Sequence, residues 1–499
     1  MINNKQNKID NTVYFLLFII AFFFVFSSTY NPFNFRRMHV DSSVYMSITK
    51  GICQELLPYR DFVDNKGPLM YLLGVPLFML AGFTGVWLTE LLLMCIAVLF
   101  AYKTALFFTS KYKALVATAC TFVAALAFFT VPAGTEEYAL PFLIISLYIF
   151  TKYYFSPNRD VSLPHIIALG FCFAAAILIR LNMFPLWSGF CFIIFIEAIA
   201  KRRFALLLKY VTGFFIGAAI ICVPIFLYLK INGIMDDFIY QVISGSSSRG
   251  FGGWSIKTTA KNVYIVMNRA YCIVPLLWGV FALIKNYKQE HFVFWAGYTF
   301  SYILAVLFLS FSSGGSHYNL TLIPFFIPPI AVFLEALYSE FSAFSAFSTI
   351  RKKNMVITLF LCLVFSEGLV KYLDDLLEIF TNHSGRDLRQ AGKMIDANTT
   401  DTDTIISLGF NGYIYPFTQR HAASKYFFQG SGVDLIPGSR QEFLSDVLQK
   451  KPAIIAIFTA ETNGSYDYLP VWYNPIFDLI DSEYRILSLD NGYVLFIRE

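Results

Sequence analysis

Apolar runs of about one bilayer thickness recur from residue 12 to residue 370 of this chain, separated by short polar turns. A hydrocarbon core about 30 Å thick takes roughly 20 residues of helix. Backbone polar groups in lipid must find partners within the chain, which leaves helices as the spanning form for runs of this length. The runs fall at 12–28, 86–108, 114–131, 139–155, 164–179, 184–200, 206–229, 270–284, 292–310, 320–338 and 354–370, which predicts eleven crossings. A composition of 57% hydrophobic and 14% charged residues agrees with a multi-pass membrane protein and excludes an ordinary soluble domain. The net charge of +5 is spread in small clusters, so it reads as topology information, and nucleic acid is not an expected partner. The first run follows Lys5 and Lys8 and no small-residue cleavage site follows it, so it reads as an uncleaved span.

Lysine and arginine in short loops mark the cytoplasmic side. The basic connections at 110–113, 152–160, 201–203, 285–291 and 351–353 alternate along the list of spans, as cytoplasmic loops should. The piece 69–82 is short and interrupted by Gly74 and Pro76, and counting it as a crossing would turn every later basic loop outward. It reads as a re-entrant or interfacial helix. The first loop, the turns at 132–141 and 179–185, the loop 230–269, the turn 312–319 and the C-terminus then face outward from a cytoplasmic membrane. Lys103, Lys209, Glu90, Glu197, Glu335 and Glu367 lie near span ends, where long side chains reach the interface, and no charge sits at mid-membrane. An ion-coupled transporter places its site at the midplane, so that class is disfavoured.

Seven of the eight cysteines lie in apolar runs and no Cys/His spacing suits zinc, so neither disulfides nor a structural metal are expected. From 371 the composition becomes mixed, with candidate strands at 403–410, 425–428 and 452–459, two more flanking the Asp490-Asn491-Gly492 turn, and a helix at 439–451 after a serine cap. The fold class is therefore an all-α polytopic membrane domain, residues 1–370, with interfacial helices in its first outer loop. A small α/β domain, residues 371–499, follows a linker helix and lies outside the membrane.

The densest charge sits in the first outer loop, HVDSSVYMSITKGICQELLPYRDFVDNKGPL (39–69). Asp41 begins a helical run with Tyr45 one turn along on the same face; the carboxylate serves either as a helix cap or as a general base for an acceptor hydroxyl. Arg60, Asp61, Asp64 and Lys66 gather ahead of the Gly67-Pro68 break, where cations suit a phosphate at headgroup depth or ordinary lipid pairing. Glu136 and Glu137 sit in a second outer turn, after Thr135 as a helix cap, and there either favour the positive end of a helix or take part in acceptor binding. His317 and Tyr318 stand where the chain re-enters the membrane, and Arg180 beside Asn182 is a further phosphate candidate. The Gly/Ser loop 244–254 is of the type that closes over a substrate.

Asp41 and Tyr45, then Pro-Tyr-Arg-Asp and Lys-Gly-Pro-Leu, in an outward loop after the first span, resemble the GT-C superfamily of membrane glycosyltransferases. The bacterial branch related to protein O-mannosyltransferases and lipid A aminoarabinose transferases is the nearest look, and GTEEYALPF and HYNLTLIPFF extend it. The resemblance implies an enzyme that transfers a sugar, with inversion, from a polyprenyl-phosphate donor to a lipid, glycan or protein acceptor of the cell envelope. It implies Asp41 as base, Glu137 or Glu136 as the second acid, and Tyr45, Arg60, Asp64, Lys66, Arg180, His317 and Tyr318 as substrate-binding residues. No cofactor is expected; a divalent ion shared by Asp41 and Glu137, as in oligosaccharyltransferase-like relatives, is the rival arrangement. A polymerase or ligase acting on lipid-linked glycans, and a non-enzymatic flippase or transporter, are the alternative functions.

Overall fold

The computed structural model describes residues 10–245, 255–289, 291–311, 315–343, 366–409, 411–429, 436–459, 468–489 and 492–499. Helix α1 (Asn11–Phe26) is capped by Asp10, whose carboxylate accepts from the Val13 amide at 2.9 Å. The first loop that follows carries α2 (Val40–Cys53) and α3 (Pro68–Leu72). Helix α4 (Val75–Ala105) leaves helical geometry at Ala81 and Gly82, the latter at φ +56°. The stretch 69–82 is thus two short pieces, each far below the roughly 20 residues a crossing needs, which agrees with its reading as a non-crossing segment. Residues from Phe83 to Ala105 form the span proper.

Four helices come next: α5 (Lys111–Leu126), α6 (Thr135–Phe155), α7 (Leu163–Ile179) and α8 (Pro185–Ala200). Helix α9 (Phe204–Ile231) then leads to the single turn α10 (Met235–Phe238). Helices α7 and α9 touch backbone to backbone: a Cβ on Gly170 would lie 1.9 Å from the Phe214 carbonyl, and one on Gly217 1.9 Å from that of Ile167. Small residues at such crossings are how apolar helices associate in lipid. The sequence places a full crossing at 270–284 after an open loop, and the structure has a bent pair of helices over this stretch. Helix α11 (Ile256–Asn268) occupies much of that loop, and α12 (Ile273–Lys285) leaves it at 89° through Ala270 and Tyr271, both at positive φ. Helix α13 (Phe292–Ser310) follows, then a 3-10 stretch, Ser316–Phe326, that runs into α14 (Ile327–Ala343). Among the described residues five helices are long and apolar enough to cross a membrane, and α1, α7 and α8 are shorter apolar helices. Residues 354–365 of the expected last span and 246–254 of the Gly/Ser loop lie outside the described residues.

The basic connections 110–113, 152–160 and 201–203 and the nearby Lys209 lie at one end and pair with local acids. Lys111 pairs with Asp10 and Lys113 with Glu335 at 2.7 Å, while Arg159 and Lys201 share Glu197 and Lys209 reaches Asp160 at 2.9 Å. The other end carries the first loop, the Ala133 turn and the C-terminal region.

Helix α15 (Ser366–Thr381) and α16 (Ser384–Ala397) lead into a five-stranded sheet ordered β2-β1-β3-β5-β4. Its strands are β1 (Thr404–Leu408), β2 (His421–Ala422), β3 (Ile454–Phe458), β4 (Tyr484–Ser488) and β5 (Tyr493–Arg498). β1 and β3 pair in parallel from Ile405↔Ile454 to Leu408↔Ile457, and β5 runs antiparallel to β3 and β4. Buried on both faces, β1 and β3 read as continuous apolar runs. The expected strand 425–428 is not formed; the pairing is made two residues long at His421–Ala422. Helix α17 (Ser439–Lys450) starts after Gly438 at φ +81°, so glycine rather than serine holds the cap position. With α18 (Asn474–Glu483) it packs on the sheet through Phe443, Val447, Ile476 and Ile480.

This region is bonded to the first loop. Val63 donates to the Lys425 carbonyl at 3.0 Å and Gly385 to that of Phe35 at 2.7 Å. The buried Lys50 ammonium of α2 donates to the carbonyls of Tyr415, Pro416 and Thr418, and Arg36 bridges Asp375 and Glu378 of α15.

Candidate active site

Helix α2 is capped not by Asp41 but by His39, whose Nδ1 accepts from the Asp41 amide at 3.2 Å. The Asp41 carboxylate is therefore released from the capping role the sequence allowed it, and it forms no hydrogen bond or ion pair among the described residues. Burial pushes the His39 imidazole below its usual range, with nearby Asp41 pulling the other way.

One turn along, Tyr45 is buried, and the Lys66 ammonium stands 5.8 Å from its ring centroid. A chain of hydrogen bonds holds that ammonium. Lys66 Nζ donates to Asn65 Oδ1 at 2.8 Å, the Asn65 amide donates to Asp64 at 2.7 Å, and the Tyr71 hydroxyl donates to the same carboxylate at 2.7 Å. Asp64 thus orients a neighbour of Lys66. Gly67 seats this segment against the end of α7: its amide donates to the Ile179 carbonyl at 3.0 Å, and a Cβ there would lie 2.0 Å from the Leu178 carbonyl. The next residue of α7 is Arg180.

Arg180 pairs with Glu136, 4% exposed at its side chain, and lies 4.3 Å from the Tyr318 ring centroid. Tyr318 and His317 rings are 4.2 Å apart, and His317 faces His39 at 6.2 Å. Both histidine and tyrosine ride the 3-10 stretch, whose three-residue turn sets Tyr318 and Thr321 in one column and His317 and Leu320 in another. The field of Asp41 and Glu136 reaches both His317 and Tyr45. Five segments of the chain therefore meet: Asp41 and Tyr45, Asp64 and Lys66, Glu136, Arg180, and His317 and Tyr318.

Two expected members stand apart. Arg60 pairs with its neighbour Asp61 at 3.0 Å on the surface, its side chain 54% exposed, and does not join the cluster. Glu137, 1% exposed, turns the other way and shares the Ala133 amide with Glu90 of α4, at 2.8 and 2.7 Å. It is Glu136, not Glu137, that faces Arg180, and an ion held between Asp41 and Glu137 is not what these side chains offer. Gly134, not Thr135, precedes α6 at the cap position; the Thr135 hydroxyl donates to Glu136 at 2.8 Å. Among the described residues there is no group of three or more His, Cys, Asp or Glu able to hold a metal. His39 and Asn65 were not singled out from the sequence, and Glu90, read there as a long side chain reaching the interface, is instead fully buried and bonded to Ser28 and the Ala133 amide. The first two flank charged residues within the motif, and Glu90 is a lone acid in an apolar run, so only the last carried a signal.

Beside His39 opens a cavity of about 460 Å³ between the first loop, α15 and the sheet region, lined by Ser27, Arg36, Arg37, His39, Lys371 and Tyr413 among others. Arg37 lies over the rings of Tyr413 and Phe458 at 5.1 and 5.0 Å. The Ser27 hydroxyl is buried without a hydrogen-bond partner among the described residues.

Among solved structures, the crystal structure of ArnT from Cupriavidus metallidurans bound to undecaprenyl phosphate is similar to this chain. The TM-score is 0.63 at 13% identity, with 98% of each chain covered. The archaeal oligosaccharyltransferase AglB from Archaeoglobus fulgidus, in complex with an inhibitory peptide and a dolichol-phosphate, is similar at a TM-score of 0.54 and 11% identity. That match covers 98% of this chain and 74% of AglB. Both are GT-C proteins, and at such identities the likeness establishes the GT-C fold. A comparison with curated proteins by sequence finds no match. The family model described as competence-induced protein Ccs4 N-terminal domain matches residues 2–373, and the chain belongs to that family.

Proposed function

We propose that the protein is a membrane glycosyltransferase that moves a sugar from a polyprenyl-phosphate donor to an acceptor of the cell envelope, at the outer face of the cytoplasmic membrane. The observation that carries this reading is a carboxylate without a hydrogen bond or ion pair among the described residues, Asp41, in a cluster with two cations, Lys66 and Arg180, and two histidines that burial favours in the neutral form. The similar ArnT structure has undecaprenyl phosphate bound, which supports an isoprenoid phosphate as the leaving group here.

In this mechanism the acceptor's O–H or N–H gives its proton to Asp41 as its heteroatom bonds to the anomeric carbon. The bond from that carbon to the phosphate oxygen breaks, and the configuration inverts. A phosphate leaves well without protonation, so the site supplies one base and several positive contacts. Lys66, set by Asn65 and Asp64, and Arg180, set by Glu136, would meet the phosphate, with His317 and Tyr318 behind Arg180. Glu136 takes the role of second acid in preference to Glu137. The cavity beside His39 supplies the acceptor's approach, and the 371–499 region lies on the outer side over it.

The test uses purified protein in detergent with a panel of undecaprenyl-monophosphate sugars and, in parallel, a diphosphate-linked oligosaccharide. Consumption of a monophosphate sugar that falls by about 10² to 10⁴ in Asp41→Asn, while undecaprenyl phosphate still binds, is the expected result. Full activity in Asp41→Asn removes the base and with it the mechanism. Consumption of the diphosphate donor alone points to the ligase class instead.

A further inference from the structure

Glu90 and Glu137 lie outside the cluster just described, yet both are buried, at 0% and 1% exposure. They come from different helices, α4 and the first turn of α6, and converge on one donor, the Ala133 amide, at 2.7 and 2.8 Å. The second oxygen of Glu90 accepts from the Ser28 hydroxyl at 2.7 Å, whereas Glu137 Oε1 has no hydrogen-bond partner among the described residues. The groups facing the pair are phenols, Tyr30 from the loop after α1 and Tyr138 from α6; neither carboxyl makes an ion pair among the described residues.

Two ionised carboxylates in this setting would repel each other across the Ala133 N–H, with the Gly134 amide as the further backbone donor to Glu137 and no cation among the described residues to offset them, and one oxygen would be a buried acceptor with nothing to accept. A neutral carboxyl on Glu137 removes the repulsion and leaves the unpartnered oxygen uncharged, which lowers the cost of burying it. Its O–H donates to Glu90, its Oε1 becomes an uncharged carbonyl, and Glu90 alone is ionised, with three donors: Ser28, Ala133 and Glu137. The positive end of α6 lies at the same place.

We propose that Glu90 and Glu137 hold one proton between them, carried by Glu137, and that this pair is a positioning device for the turn 132–136 that presents Glu136 to Arg180. Ala133, at φ +50°, is the residue the pair grips. On its other side the Pro132 carbonyl accepts from Ser42 of α2 at 2.7 Å. The turn is thereby fixed between α4 and the helix that carries Asp41, and Glu136 follows three residues after Ala133. The shared proton stands on its own; its link to catalysis rests on the proposed sugar transfer.

The proton is read directly by infrared difference spectroscopy of the full chain in detergent at pH 7. Wild-type protein is expected to show a slowly exchanging protonated-carboxyl band that is absent from Glu137→Gln and persists, shifted, in Glu90→Gln. No band difference between wild type and Glu137→Gln overturns the proposal. The positioning role is read from undecaprenyl phosphate affinity: Glu137→Ala is expected to weaken it about tenfold, and Glu137→Gln, whose amide can still donate to Glu90, to restore it to within about twofold. A glutamine variant as weak as the alanine variant overturns that role. Wild-type protein that shows the band but binds no undecaprenyl phosphate sinks the donor reading and leaves the shared proton standing.

Discussion

At the scale of single residues, His39 binds two requirements together. Its Nδ1 must be unprotonated to accept from the Asp41 amide, and its ring stands 6.2 Å from that of His317. Burial favours the neutral ring and sets the folded-state pKa below the ordinary value of about 6.5. A depressed histidine binds fewer protons in the folded state, so its contribution is complete above about pH 6.5 and is lost as pH falls through the folded-state value. Asparagine caps helices without titrating. Thermal unfolding in detergent from pH 7.5 down to 5 should therefore show wild type losing more stability than His39→Asn; equal losses would mean that His39 does not set the acid limb. The same residue marks what single side chains reveal in advance. Asp41, Lys66, Glu136, Arg180 and His317 stood out because charge at a span boundary is costly and calls for a reason. His39 did not, because a histidine next to an aspartate has no spacing that separates a cap from a bystander. The choice between Glu136 and Glu137 was illegible for a related reason: adjacent residues at a helix start point about 100° apart, and only the fold decides which direction is the site.

Elements, rather than side chains, set how close Lys66 comes to Arg180. The segment after α2 must press its backbone against the C-terminal end of α7, and Gly67 is the residue at the contact. A Cβ there meets backbone, the Leu178 carbonyl at 2.0 Å, and not the end of a flexible chain that would swing aside. Gly67→Ala is thus expected to cost about 2–4 kcal/mol or to displace Lys66, and to weaken undecaprenyl phosphate binding even where the protein still folds. Wild-type affinity together with an unchanged thermal midpoint in that variant would show that the contact is loose. The motif Lys-Gly-Pro-Leu was visible in the sequence, but the reason for its glycine was not, since it depends on a helix more than 100 residues away. The same limit explains a bend and a strand position that the sequence did not show. The run at 270–284 has the composition of a crossing, yet the bend at Ala270 and Tyr271 is made by backbone angles that no hydropathy count registers. Residues 425–428 have strand-forming side chains, but β1 already finds its partner at His421–Ala422, and the later residues are spent packing Phe427 against Phe62 at 5.3 Å.

For the whole molecule, the separation of charge between its two ends carries the functional argument. Loops rich in lysine and arginine pair locally with Asp10, Asp160, Glu197 and Glu335 at one end, whereas the site, its cavity and the sheet region share the other. Alternation of basic loops was fully legible because it needs only span order and charge. That the C-terminal region packs on the first loop was not, because the contacts that place it, Lys50 with three carbonyls and Arg36 with α15, join residues more than 300 positions apart. If basic loops face the cytoplasm, the cluster around Asp41 works on substrates delivered outside, and a polyprenyl-linked sugar is the form in which such a donor crosses. Two exposed positions test this, Tyr112 at the basic end, 73% exposed, and Val471 in the sheet region, 78% exposed. In a cysteine-free background a membrane-impermeant maleimide should label Val471→Cys in intact cells and Tyr112→Cys only after permeabilisation. The opposite pattern would put the site on the cytoplasmic side, where nucleotide sugars are the available donors and an isoprenoid carrier has no purpose.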